Sequence, residues 1–137
     1  MPAIAYWPGT IAPGVTREAA LTMDLFPTMA AIAGALMPPD AQLDGLDLMP
    51  TLKNGSPLSP RALFWRYKTQ KAVRKGPWKL LVERDRGKPS ESVALFNLDD
   101  DLGETEDRAA TEPAKTDELQ ADLAAWEKEL AGIALRT

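Results

Sequence analysis

The chain of 137 residues contains no cysteine and no histidine. Without cysteine there is no disulfide, no thiolate metal site and no thiol nucleophile, and the redox compartment leaves no mark on the sequence. Without histidine the commonest acid/base and metal ligand near neutral pH is absent. Long apolar runs are absent too. No stretch approaches the roughly 20 apolar residues of a membrane span, and the opening Met1-Pro2-Ala3-Ile4-Ala5-Tyr6-Trp7-Pro8-Gly9 lacks the basic start and long apolar run of a secretory signal. Neither sign of charge dominates: 16 basic against 20 acidic residues give a net charge of −4, which disfavours nucleic-acid and anionic-membrane partners. Large apolar side chains are scarce. Of the 45% apolar residues, 21 are alanine, and Leu, Ile, Val and Phe together number 29, close to the roughly 20% below which chains stay disordered. Length and composition therefore allow one domain with a thin core, or one domain plus a piece of another.

Punctuation divides the rest into three zones. In the first, Pro2-Ala3-Ile4-Ala5-Tyr6-Trp7 barely alternates before Pro8-Gly9 stops it, so it reads as a strand buried on both faces. A helix follows from Asp24-Leu25-Phe26-Pro27-Thr28. Proline is tolerated only in the first helical turn, which makes Asp24 the expected N-cap and Gly34 the expected stop. The second zone, about 38–60, carries Pro38-Pro39, Asp44-Gly45, Pro50, Asn54-Gly55, Ser56-Pro57 and Ser59-Pro60 and reads as loop. Apolar residues at Leu43, Leu46, Leu48, Met49 and Leu52 pin it to a surface, with a single helical turn after Asp47.

The third zone reads as a strand meander and a helix. Arg61–Tyr67, Lys71–Lys75, Trp78–Glu83 and Val93–Leu98 are strand candidates, with Lys75-Gly76-Pro77 as a tight turn and 84–92 as an exposed hairpin loop. Trp78, Leu80 and Val82 share one face while Lys79 and Glu83 take the other, so the sheet has one buried side; Leu81 breaks the alternation. Leu119, Leu123, Trp126, Leu130 and Ile133 recur at helical spacing, which predicts an amphipathic helix over about 116–131, ended by Gly132, that covers the apolar face of the sheet.

Three stretches invite chemistry. Asp99-Asp100-Asp101-Leu102-Gly103-Glu104-Thr105-Glu106-Asp107 suggests a cation loop, but neither register puts glycine at the sixth position a calcium loop requires, so a solvated turn is expected. Ser56 and Ser59 sit among prolines with no base at hand, which disfavours a nucleophile. Trp65-Arg66-Tyr67-Lys68, with Arg74-Lys75, makes a cationic, aromatic stretch suited to a sulfate or a sugar. Arg and Lys at strand ends also serve as ordinary edge protection.

Taken in order, residues 2–9, Asp24-Leu25-Phe26-Pro27-Thr28 with Gly34, Asp44-Gly45-Leu46-Asp47-Leu48-Met49-Pro50, Leu63-Phe64-Trp65-Arg66-Tyr67, Ala72-Val73-Arg74-Lys75-Gly76-Pro77-Trp78-Lys79-Leu80-Leu81 and Leu95-Phe96-Asn97-Leu98 through Glu104 closely resemble the C-terminal third of the type I sulfatases. The nearest flavour is the arylsulfatase and N-acetylgalactosamine-6-sulfatase branch of this alkaline-phosphatase-like superfamily. The resemblance implies an α+β chain: a small antiparallel four-stranded sheet packed against a C-terminal amphipathic helix, preceded by a strand-helix remnant of the large α/β domain. Residues 1–55 would be the last strand and helix of the catalytic domain with a connecting loop, and 56–137 the small C-terminal subdomain.

The family's catalytic part uses calcium and a formylglycine made from Cys or Ser in a C/S-x-P/A-x-R motif. Neither group has its residues here: Ser56 and Ser59 lack the proline two residues on and the arginine four residues on. No catalytic residue and no metal ligand carries over. The resemblance implies a buttress of the catalytic domain that shapes the cleft rim, with Trp65, Arg66, Tyr67 and Lys68 as rim residues and a sulfated carbohydrate or aryl sulfate as substrate of an intact enzyme. The alternative is a stand-alone assembly module that self-associates or complements a separate N-terminal half, through exposed Ile4, Tyr6, Trp7, Leu25, Phe26 and Ile32. The family is periplasmic, secreted or lysosomal.

Overall fold

The computed structural model describes residues 3–38, 40–41, 43–84 and 90–134; Pro2, Pro39 and the centre of the 84–92 loop fall outside the described residues, as does the side chain of Ile133. The chain divides into two compact units, Met1–Ser59 and Pro60–Thr137.

In the first unit a 3-10 turn, Thr22–Asp24, runs into α1, Leu25–Ile32. Pro27 is the third residue of α1, within the turn whose N–H groups have no intrahelical partner. Gly34 stops the helix from a left-handed conformation (φ 62°), with its N–H on the Ala31 carbonyl and the Ala35 N–H on the Ala30 carbonyl, the paired bonds of a Schellman ending. The turn expected after Asp47 is α2, Met49–Asn54; Asp47 Oδ1 accepts the Met49 N–H at 2.8 Å, and Gly55 (φ 69°) ends the helix. Two expectations fail. Residues 3–7 form no strand and are exposed, Ile4 at 95%. A strand needs a partner for its backbone groups, and among the described residues of this unit no other strand exists to supply one. Asp24 precedes α1 as expected, but its own backbone is helical and its side chain does not cap the helix.

The second unit is a four-stranded antiparallel sheet in the order β1 (Ala62–Tyr67), β2 (Gln70–Lys75), β3 (Trp78–Arg84), β4 (Glu91–Asn97), followed by α3, Pro113–Ala134. Gly76 (φ 59°) makes the turn between β2 and β3, a conformation that glycine adopts without penalty. The register aligns Phe64, Val73, Leu80 and Leu95 in one row across the sheet. That row and Val82 pack against Leu119 and Leu123 of α3, and Phe64 stacks on Trp126 with ring centroids 5.1 Å apart and planes 7° from parallel. Lys71 and Lys75 flank Val73 on the same face of β2. Lys71 Nζ lies 3.0 Å from Glu127, and Lys75 Nζ lies 2.8 Å from Asp122 and 2.9 Å from Glu118, so charge pairs border the apolar seam. Asp122, then Glu118, raises the Lys75 pKa; Lys115, then Lys75, lowers that of Glu118.

The helix is longer than its periodicity suggests. It starts at Pro113 and runs through Gly132, where the sequence predicts its end. Gly132 keeps an ordinary helical conformation there, at a cost of about 1 kcal/mol relative to alanine. Leu81, the break in the β3 alternation, points to the face away from α3 and is half-buried.

Candidate substrate-rim site

The β1–β2 hairpin carries the four residues singled out as a rim. Side chains alternate along a strand, and Phe64 faces α3, so Arg66 shares that face while Leu63, Trp65 and Tyr67 take the other. The structure therefore does not bring all four together. Trp65 and Tyr67 stand side by side on the far face, both exposed (39% and 66%). Lys68 occupies the turn with φ 53°, a left-handed conformation that is unfavourable for a residue with a Cβ, and its ammonium lies 4.9 Å from the Tyr67 ring centroid. Small Ala72 lies beside Trp65 and leaves its flank open; Gln70 lies beside Tyr67 and donates to Glu83 Oε1 at 3.0 Å. The result is an aromatic pair with one cation at its end, and Arg66 on the opposite side of the strand.

A second concavity, of about 650 Å³, lies between the start of β1 and α3, lined by Pro60, Ala62, Phe64, Lys75, Asp122 and Trp126. It offers no nucleophile beside a base, and its lysine is held by the carboxylates of α3. The acidic run forms a turn. Asp101 accepts the Thr105 N–H at 2.7 Å, the Glu106 N–H at 2.8 Å and the Thr105 hydroxyl at 3.1 Å, and these bonds, Glu106 first, lower its pKa. Because the folded carboxylate titrates below its unfolded value of about 3.9, its contribution to stability is present above that value and is lost as pH falls through the folded pKa. Asp101→Asn should therefore flatten the acid limb of stability below about pH 4, read from urea midpoints at pH 2.5 to 5; an unchanged slope would show that the turn is not coupled to folding. Among the described residues, no group of three His, Cys, Asp or Glu side chains could hold a metal ion.

The sequence reading missed one arrangement. Asp24 is fully buried; its carboxylate accepts the Leu21 N–H at 2.7 Å and the Leu46 N–H at 2.8 Å. Thr28 donates its hydroxyl to the Asp24 carbonyl at 2.6 Å and accepts the Leu48 N–H at 2.9 Å. Gly45 passes so close that a Cβ there would lie 2.2 Å from the Met23 carbonyl oxygen. Asp24-x-x-x-Thr28 and Asp44-Gly45-Leu46-Asp47-Leu48 thus form one clamp between α1 and the loop. The pairing of a buried acceptor with a lone glycine some twenty residues on was the available signal.

No family model matches this chain. Curated relatives do. The chain is 54% identical over 66 residues to arylsulfatase A of Homo sapiens, covering 48% of this chain and 13% of that protein. It is 43% identical over 79 residues to N-acetylgalactosamine-6-sulfatase of Mus musculus (57% and 15%) and 34% identical over 122 residues to arylsulfatase G of Canis lupus familiaris (76% and 23%). Among solved structures, Ps i-CgsB matches at 25% identity and a TM-score of 0.72, covering 88% of this chain and 27% of that one. The chain thus spans less than a quarter of the length of these curated relatives. With the six phrases in order, the antiparallel sheet and its covering helix, these likenesses show that the chain belongs to the sulfatases and carries a segment of that family's length.

Proposed function

We propose that this chain works as the C-terminal part of a sulfuric ester hydrolase, buttressing a catalytic domain and forming one rim of its substrate cleft. The observation that carries the reading is the hairpin end: exposed Trp65 and Tyr67 with Lys68 held over the aromatic ring in a strained backbone conformation, a kind of strain that concentrates at functional sites. An aromatic face with an adjacent cation suits a sulfated sugar or an aryl sulfate. Exposed Ile4, Tyr6, Leu25, Phe26 and Met29 in the first unit supply the apolar surface such a domain would cover. Calcium and formylglycine belong to this reading only through residues outside this sequence, since Asp101 already spends its oxygens on its own turn and no serine has the required neighbours. A lysosomal or exported location goes with the same reading. Among the described residues no helix is long and apolar enough to cross a membrane.

The test is a chimera: arylsulfatase G of Canis lupus familiaris with its matched stretch replaced by the matching residues of this chain, assayed on a chromogenic aryl sulfate. The chimera should turn over, and the isolated chain should not. In the chimera, Lys68→Ala should raise KM by about fivefold while kcat stays within about twofold, the pattern of lost ground-state binding. A fall in kcat at constant KM would remove the rim role, and turnover by the isolated chain would overturn the whole reading.

A further inference from the structure

We infer, on the strength of the rim proposed above, that Arg74 is a second anion contact of that rim. The face of the hairpin away from α3 then holds a sulfated oligosaccharide by two sulfates, one at Lys68 and one at Arg74, with a sugar ring between them on Trp65. Val73 is buried in the cluster with α3, so its neighbour Arg74 takes the opposite face, the one that carries Trp65 and Tyr67. The register sets Arg74 opposite Leu63 and Trp65 opposite Ala72, which makes Arg74 and Trp65 diagonal neighbours on that face. Lys68 lies beyond Tyr67 at the other end of the aromatic pair.

Arg74 is out of place for a purely structural residue. β2 is internal, between β1 and β3, so the arginine guards no edge. Its partner across the β2–β3 ladder is Lys79, and like charges directly opposite one another destabilise a sheet. Lys79 is neutralised by Glu104, 2.6 Å away, and Lys71, Lys75 and Arg84 have carboxylates of their own. Arg74 has none among the described residues: its Nε donates to the Gly76 carbonyl at 3.1 Å, and its two terminal nitrogens are left without an acceptor. A guanidinium fixed at one nitrogen with its fork open is suited to an oxyanion held by two parallel bonds, and such an anion would also relieve the repulsion from Lys79. The rows of Leu63 and Tyr67 are four residues apart on β1, about 14 Å of strand. One pyranose ring is too short to bridge that span, whereas an oligosaccharide bridges it and lays an apolar ring face on Trp65 between the two cations.

The test is calorimetric titration of the full chain in low salt with a chondroitin tetrasaccharide carrying two sulfates, the disaccharide carrying one, and the desulfated tetrasaccharide. The doubly sulfated probe should bind about tenfold or more tighter than the disaccharide, and the desulfated one more weakly than either. Arg74→Gln should remove the advantage of the doubly sulfated probe and change the disaccharide by less than about twofold. Lys128→Gln, an equal loss of charge at an exposed position of α3, should change neither. Because it removes the like-charge pair with Lys79, Arg74→Gln should leave the urea midpoint of the free chain the same or higher. No binding of the doubly sulfated probe, equal affinities for the two sulfated probes, an equal loss in Lys128→Gln, or a lower urea midpoint in Arg74→Gln with affinity unchanged would each overturn the second contact. The rim itself fails or stands separately: an aryl sulfate is too short to reach Arg74, so Arg74→Gln should leave its KM in the chimera unchanged while Lys68→Ala raises it.

Discussion

Leu80→Ala is expected to destabilise the sheet-and-helix unit by about 2 to 5 kcal/mol, the range for truncating a fully buried leucine whose surroundings cannot close the gap. Leu80 is 0% exposed and central: Val73 and Leu95 flank it in the sheet, and Leu119 and Leu123 are buried with it in the same cluster. Sheet on one side and helix on the other leave no loop free to collapse into the cavity. Domains of this size are stable by only about 5 to 15 kcal/mol, and a core with so few large apolar residues belongs near the lower figure. The variant should unfold at a much lower urea concentration, followed by circular dichroism, whereas Leu102→Ala, at an 82% exposed position, should shift the midpoint by less than about 0.5 kcal/mol equivalent. Similar midpoints for the two would mean that the row from Phe64 to Leu95 is not the core.

The second large effect is expected at Gly45. Alanine there would place its Cβ 2.2 Å from the Met23 carbonyl oxygen, 2.7 Å from its carbon and 3.1 Å from the Asp24 nitrogen. All three are backbone atoms and cannot rotate aside. The loop must lift, which breaks the Leu46 bond to Asp24 and the Leu48 bond to Thr28. Overpacking costs about 1 to 3 kcal/mol, and each lost hydrogen bond about 0.5 to 1.5 kcal/mol more. Amide hydrogen exchange reads this locally: Leu46 and Leu48 should lose protection in Gly45→Ala, and Thr28→Val should expose Leu48 more than Leu46. Retained protection at both amides would show that the clamp does not hold the loop.

Much of the second unit was legible in the sequence. Trp78, Leu80 and Val82 alternate with Lys79 and Glu83, and that period alone marks a half-buried strand. Lys75-Gly76-Pro77 marks the turn, and the spacing of Leu119, Leu123 and Trp126 marks the face of α3. The helix overran Gly132 because glycine weakens a helix without stopping it unless the chain takes up a left-handed conformation there, as it does at Gly34. The first unit was less legible. Ile4, Tyr6 and Trp7 have the composition of a strand, but composition does not supply a partner, and the described residues of their own unit contain no other strand. The rim was legible as a stretch and not as a site, since strand alternation divides Trp65 and Tyr67 from Arg66.

What the order of amino acids determined by itself was everything with a short period or a local cause: four strands, the turn at Gly76, the apolar face of α3, the helix stop at Gly34, and the six phrases that tie the chain to the sulfatases. Tertiary structure alone decided the rest. It turned Asp24 from a helix cap into a buried acceptor for Leu46, made Gly45 obligatory beside Met23, and set Asp107 and Arg108 against Leu95 at the β4 edge. Periodicity records which way a side chain faces along its own segment; which distant backbone group it meets depends on how segments are brought together, and no local pattern encodes that distance.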